Sequence, residues 1–374
     1  MKLKNVPHSN NLKKPKDIQN KNTSDLLEDT VFFYYKNPGL PHISPIAEKI
    51  LSNMREVFED ELSKFGASKI NIPKYMKRNL MDKGEKINKT FEEKFIDLKQ
   101  PMENYMILTT PEMEVLDYIG QSEHSYKNLP LKVFFNLDIL RPIKKPKGIL
   151  KSRQFEVFNM LSIDEDNSSF KERINEYETI SENIFNQLGI SYKKVNDMDF
   201  DVEYYYEGNE GDNVDLGEDK KVKALSLSMG YKFEPKNSLV RIISKNNNKI
   251  DPIISTFGIG LERTLYSCAD MSRDRFGFSF PERIRPFDGS ILLLNKTEDE
   301  IKYGNELYDK LKNAGYEICL DDRLSVNKKE KYELSEYIGT KNKILLYNNS
   351  YVVKDRNNEE LREYGDISSL IDNF

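Results

Sequence analysis

An α+β chain is predicted by three features of the sequence. Strand-like segments group around hairpins, amphipathic helices lie between them, and regular strand–helix alternation takes over after Ser290. The first two give an antiparallel sheet with flanking helices. The third gives a small C-terminal α/β domain with a mainly parallel sheet. With 374 residues the chain is long enough for two or three domains.

In chain order, the opening "MKLKNVPHSNNLKKPKDIQNKNTS" is rich in Lys and Asn and has no apolar core, so residues 1–30 are expected to be a flexible tail, not a secretory signal. Order is expected from "TVFFYYKN". In "SPIAEKILSNMREVFEDELSKFG", Ser44 can cap a helix and Pro45 suits its first turn. Ile46, Ile50, Met54, Val57, Phe58, Leu62 and Phe65 share its apolar face, and Gly66 stops it. "ASKINIPKY" is a short strand, and "ENYMILTTPEMEVLDYI" a strand, a polar turn and a helix. "LPLKVFFNLDILRP" and "GILKSRQFEVFNMLSID" are strands joined by the basic hairpin loop "RPIKKPKG". "SSFKERINEYETISENIFNQLGI" is an amphipathic helix ended by Gly189. Residues 200–220 form an acidic loop or hairpin, and "FPERIRPFDG" a linker. The division expected is a tail over 1–30, one domain over 31–288 and a second over 289–374.

Composition narrows the function classes. Lys and Arg number 57 against 62 Asp and Glu, a net charge of −5. This excludes a general nucleic-acid coat but leaves room for a local basic face toward a specific RNA. Cys268 and Cys319 lie in no Cys-x-x-Cys pair, so neither a zinc knuckle nor a disulfide framework is expected, and free thiols fit a reducing compartment. His8, His42 and His124 are scattered, so no His-based metal site is expected. No apolar run approaches about 18 residues, so no membrane span or membrane partner is expected. A cytoplasmic location is expected, with an organellar one, directed by the N-terminal tail, as the alternative.

Three arginines carry the chemical signal. Arg141 ends one strand, Arg153 lies in the next, and Arg263 opens a helix after Gly258-Ile-Gly260. Lys144, Lys145 and Lys147 occupy the loop between the first two. Guanidinium groups grip polyanionic phosphates through paired hydrogen bonds. The glycines remove side chains where backbone must pack closely or approach a ligand. Phe155 shares a strand face with Arg153 and can stack on a purine. Singly, each feature also has a plain structural reading: glycines for packing, an arginine on a solvated face, an exposed basic loop. The ordered set points to a nucleotide site.

That set resembles the three signature motifs of class II aminoacyl-tRNA synthetases, most closely the prolyl-tRNA synthetases. Helix 45–65 with the strand ending at Pro73 looks like motif 1, "SYKNLPLKVFFNLDILRPIKKPKGILKSRQF" like motif 2, and "STFGIGLERT" with "FSFPERIRPFD" like motif 3 and its trailing segment. "GYEICLDDRLSVNKKEKYELSEYIGTK" resembles the anticodon-binding domain. The resemblance implies a class II antiparallel sheet and ATP-dependent amino-acid activation followed by transfer to tRNA. It implies ATP and Mg²⁺ as cofactors, a small amino acid (proline) and tRNA as partners, and a homodimer. It implies that Arg141 holds the α-phosphate and the substrate carboxylate and that Arg263 holds the γ-phosphate. Arg153 and Gln154 would join them around the nucleotide, and Phe155 would stack on adenine. Asp322, Arg323 and Lys331 are the implied tRNA contacts.

Departures cluster at recognition positions. Where the family has Arg-x-Glu, Arg141 is followed by Pro142 and Ile143, and Gln154 replaces an acid. The family's Thr-x-Glu loop matches "LTTPEMEV" in two ways. Without a gap the threonine and acid become Pro111 and Met113; shifted by one residue, Thr110 and Glu112 keep the spacing. Leu225 stands where a His is usual, with Ser226 or Ser228 the nearest polar groups, and the bacterial editing insertion is missing. Thr110, Glu112 and Ser228 are therefore the candidate substrate-binding residues. The alternatives are a catalytically degenerate paralogue acting as a tRNA-binding or regulatory module, and an enzyme that activates a different carboxylate.

Overall fold

Strands β1 (Ser68–Lys69), β2 (Leu131–Leu140), β3 (Gln154–Asp164), β4 (Lys193–Val195), β5 (Val202–Val214), β6 (Val222–Phe233) and β7 (Ile253–Gly260) form a sheet in the order β1-β2-β3-β7-β6-β5-β4. Every neighbouring pair is antiparallel except β1 with β2. The computed structural model describes residues 1–81, 96–196, 200–217, 221–235, 237–347, 350–356 and 360–374. Two compact units emerge: residues 35–41 and 55–267 form one, and residues 1–34, 42–54 and 268–374 the other.

Helices form where the apolar period and the caps coincide. In α1 (Pro45–Lys64) the Ser44 hydroxyl accepts from the N–H groups of Ile46 (3.2 Å) and Ala47 (3.1 Å), and Ile46, Ile50, Met54, Val57, Phe58 and Leu62 are fully buried. Gly66, at φ +74°, ends it. Helix α2 (Glu112–Gly120) follows the polar turn at Thr109–Pro111. Helix α3 (Asn167–Gln187) is capped by Asp166 and ends before Gly189 at φ +63°.

Helix α3 covers one face of the large sheet. The Tyr177 ring stacks on Phe257 at 5.3 Å, and its hydroxyl bonds Ser255 (2.8 Å) and Ser162 (3.3 Å). A Cβ at Gly230 would come within 2.9 Å of the Tyr177 ring, so this close approach requires glycine. The opposite face carries Phe135, Leu137, Ile139 and Leu161, packed with Met113, Leu116 and Ile119 of α2. The expected acidic hairpin is β5–β6, in register through Val214↔Val222; residues 218–220 of it lie outside the described residues.

The other unit holds strands β8 (Gly289–Leu292), β9 (Ile318–Asp321), β10 (Asn342–Tyr347), β11 (Ser350–Asp355) and β12 (Leu361–Tyr364) in the order β9-β8-β10-β11-β12. The first two pairings, β8 with β9 and with β10, are parallel, as strand–helix alternation demands; β11 and β12 add antiparallel hairpins. Helices α5 (Glu298–Asn313) and α6 (Lys328–Tyr337) supply the crossovers, and α4 (Leu261–Met271) follows β7.

Residues 1–30 correct the expectation of a flexible tail. Leu3, Val6, Leu12, Ile18, Leu26 and Leu27 are buried in this unit. Lys2 bridges Leu320 of β9 in parallel, and the Tyr337 hydroxyl donates to the Leu26 carbonyl at 2.7 Å. The Lys-Asn composition concealed these anchors because they are few and scattered, without a sustained helical or strand period.

Candidate active site

A cavity of about 720 Å³ opens on the sheet face away from α3, lined from β2, β3, β6 and β7 and from the starts of α2 and α4. A binding site for a small ligand of nucleotide size is of this order. Gly258 and Gly260 of β7 line it. A Cβ at Gly260 would meet nothing within 4 Å, and one at Gly258 would make ordinary contact with Asn159 at 3.4 Å. Internal packing therefore does not explain the absence of a side chain at Gly260, and the open space beside it faces the cavity.

The two outer arginines of the predicted trio converge here. Arg263, in the first turn of α4, donates from Nε to the Leu150 carbonyl and from Nη1 to the Ser226 carbonyl, both at 3.2 Å. Burial lowers its pKa, opposed by Asp212 and Glu203. Arg141, just beyond β2, is held by its N–H to the Arg153 carbonyl (2.8 Å), and its guanidinium lies 5.1 Å from the Phe155 ring centre. Burial and then the charge of Arg263 push its pKa down to about 10, with Glu112 opposing. Both groups stay cationic at neutral pH, and their mutual repulsion makes the cavity receptive to an anion.

At the α2 side, Thr109, Thr110 and Glu112 line the same cavity. Burial raises the Glu112 pKa; the Tyr231 hydroxyl, donating at 3.2 Å, and the charge of Arg141 work against it. The hydroxyls of Thr109 and Thr110 are buried and make no hydrogen bond among the described residues. Buried hydroxyls ordinarily find a partner, so this corner suits a ligand that carries N–H donors. Met113, the acid's replacement under the ungapped alignment, is instead buried in the core. Thr110 and Glu112 of the shifted alignment line the cavity, and Met113 does not.

Other candidates are not in the cavity lining, and each has a physical reason. Arg153 turns away to brace the loops, donating from Nε to the Ile143 carbonyl (2.9 Å) and from Nη1 to the Pro38 carbonyl (3.0 Å). Gln154 is also absent from the lining, although its neighbour Phe155 belongs to it. Ser228 lies under α3, sharing a hydrogen bond with Ser181 at 2.9 Å. The register shift between Tyr204↔Ser228 and Tyr205↔Ser226 inserts Leu227 and resets the alternation, so Ser226 is the serine that lines the cavity.

In the other unit, Asp322, Arg323 and Lys331 are buried, contrary to their expected role as surface tRNA contacts. Arg323 donates to Asp321 (2.8 and 2.6 Å) and to the carbonyls of Ser9 (2.8 Å) and Leu12 (2.7 Å). Lys331 donates to the carbonyls of Leu293 (2.6 Å) and Asp321 (3.1 Å), and Asp322 accepts from the Lys4 N–H at 2.9 Å. Arg323 and Asp322 tie down the N-terminal segment.

Several lining residues escaped the sequence reading, Tyr231, Glu262 and Asp212 among them. Tyr231 is two residues beyond Met229 on one strand face, a parity signal available in "SMGYKF". Glu262 stands directly before Arg263; its carboxyl accepts from the Glu156 N–H (3.1 and 3.0 Å), and burial pushes its pKa up to about 8. Asp212, within the acidic hairpin, had no local signal.

Residues 90–271 match the tRNA synthetase class II core domain (G, H, P, S and T). The proline--tRNA ligase of Corynebacterium diphtheriae is 27% identical over 181 residues, covering 46% of this chain and 30% of that protein. That of Listeria innocua is 32% identical over 148 residues, covering 37% and 26%. The chain thus spans about a third or less of the curated relatives it matches. Among solved structures, Giardia lamblia prolyl-tRNA synthetase in complex with prolyl-adenylate superposes with a TM-score of 0.75 at 19% identity, over 96% of this chain and 77% of that one. The Cryptosporidium parvum enzyme complexed with halofuginone and AMPPNP gives 0.73 at 19% identity, over 94% and 75%. The Gly-x-Gly strand β7 that feeds the arginine-bearing helix α4, and the strand β2 that Arg141 follows, both lie within residues 90–271, the stretch similar to the class II tRNA synthetase core domain.

Proposed function

We propose that this chain is an ATP-dependent aminoacyl-tRNA ligase whose amino acid, by similarity to its relatives, is proline. The observation that carries the reading is the meeting of Arg141, Arg263, Thr110 and Glu112 around one cavity, with Phe155 beside them. An amino-acid carboxylate oxygen attacks the α-phosphorus of ATP and pyrophosphate leaves. A tRNA 3′-terminal hydroxyl then attacks the activated carbonyl and AMP leaves. Arg141 holds the carboxylate and α-phosphate, Arg263 the phosphate tail, and Glu112 with Thr110 the substrate's ammonium. Such chemistry depends on positioning and charge stabilisation and needs no nucleophilic side chain.

The Phe155 ring supports adenine by stacking, although Arg141 lies against it here. Magnesium, implied by the family, would neutralise phosphate charge when bound; Asp212, which lines the cavity, is a carboxylate that would hold it. We assign catalysis to residues 31–288 and the anticodon-type role to 289–374, with a homodimer as the working assembly and the cytoplasm as its place. Among the described residues no helix is long and apolar enough to cross a membrane.

The competing idea of a degenerate paralogue rests on Ile143 standing in place of the acid of Arg-x-Glu. The cavity position of Glu112 removes its stronger motive, the lost acid. ATP–pyrophosphate exchange across the amino acids tests the proposal. Exchange with proline supports it, exchange with another substrate alone reassigns the amino acid, and none with any substrate by folded protein rejects the activity.

A further inference from the structure

The N-terminal segment turns two different surfaces in two directions. Its apolar side chains, Leu3, Val6, Leu12 and Ile18, are buried, while Lys4, Lys13, Lys16 and Lys21 are exposed. Between Lys2 and Lys21 the segment holds six lysines and one acid, Asp17, in a chain whose net charge is −5. Lys13, Lys16 and Lys21 form no salt bridge among the described residues; Lys4 approaches Asp322 at 3.4 Å.

The same segment carries His8, which begins a row of exposed rings within the unit. The His8 ring centre is 6.3 Å from that of Tyr34, and Tyr34 is 6.1 Å from His42. Tyr34 is 45% exposed although it adjoins the fully buried Phe32 and Phe33, and both histidines are exposed. Two of the chain's three histidines thus flank one uncovered tyrosine.

Aromatic faces together with ammonium groups on one segment are what an unpaired nucleic-acid strand needs. Bases stack on the rings, and the lysines meet the phosphates. A duplex offers the same phosphates but no free base faces. We propose that the His8–Tyr34–His42 row and the lysines of the N-terminal segment bind a single-stranded stretch of RNA. Resting on the reading of tRNA as partner, the proposal moves the unit's RNA contact from the buried Arg323 and Lys331 to the N-terminal segment that Arg323 holds.

Fluorescence anisotropy of the full chain with a single-stranded RNA of about 15 nucleotides, and with the same sequence as a duplex, tests this. The wild type is expected to prefer the single strand. Tyr34→Ala should weaken that binding roughly tenfold, by loss of one stacked base. The combined Lys13→Ala, Lys16→Ala and Lys21→Ala variant should reduce the slope of log affinity against log salt by about 2, from three phosphates at roughly 0.7 each. All four positions are exposed or half-exposed in the structure, and unchanged thermal melting would verify that folding is intact. Equal affinity for both RNAs, or an unchanged result in either variant, overturns the proposal. So does a Tyr34→Ala variant that alters sedimentation without altering RNA affinity, which would mark a protein interface. Pyrophosphate exchange on the same proteins needs no RNA and should stay at the wild-type rate. Its absence in the wild type would count against the adenylation reading and leave the RNA result to decide this one.

Discussion

Glu112 shows how a single residue's environment assigns its task. It opens α2, is buried, and lies in the same cavity as a cationic Arg141. Burial alone would favour the neutral acid; Tyr231 and Arg141 pull toward the carboxylate, and a substrate ammonium would complete the pairing. Glu112→Gln keeps the shape and removes the charge. It is expected to raise the KM for the amino acid by roughly 10- to 100-fold, the equivalent of about 1–3 kcal/mol, while the KM for ATP changes little. Exchange kinetics with each substrate varied in turn measure the split; an equal rise in both would remove Glu112 from the ammonium site.

At the scale of elements, β7 and the turn into α4 separate packing from ligand approach. The open space beside Gly260 predicts that Gly260→Ala changes stability by no more than about 0.5 kcal/mol yet raises the KM for ATP. Urea unfolding beside exchange kinetics checks this. A clear loss of stability with unaltered kinetics would return Gly260 to a packing role. The N-terminal segment and β9 form a second such test. Arg323→Ala leaves Asp321 buried without its closest partner and should cost about 3 kcal/mol, with faster hydrogen exchange in residues 1–12.

These elements also show where sequence reading works. Capped and periodic helices such as α1 and α3 were legible, as were the strand–turn–helix around Gly258 and Gly260 and the parallel strands after Ser290. Arg141, Arg263, Phe155, Thr110 and Glu112 were legible as cavity residues because motif spacing and strand parity survive in the sequence. Ser228 failed because one inserted residue, Leu227, reverses the parity of everything around it. Arg153, Arg323 and Lys331 failed because side chains of that type satisfy backbone carbonyls as readily as phosphates, and only the fold tells which is near.

On the scale of the molecule, buried acids set the pH response of stability. Burial raises Glu262 to about 8 and Asp164 to about 6, the latter opposed by Arg173. Unfolded, both ionise near the ordinary value of about 4, so between that pH and the native values the folded chain holds more protons. Their contribution to stability is therefore full at low pH and declines as pH rises through that window. Thermal midpoints should fall between about pH 5 and pH 8.5, and Glu262→Gln should flatten part of that fall. A midpoint that rises across the window would contradict this placement of the two carboxyls.

ATP–pyrophosphate exchange with proline, run on wild type beside Arg263→Ala, tests the central claim most directly. Convergence of the two guanidinium groups on one adenylating cavity predicts exchange by the wild type and a loss of roughly 100-fold or more in a variant that remains folded. Equal exchange by the two proteins, or none by a well-folded wild type with any amino acid, would contradict it.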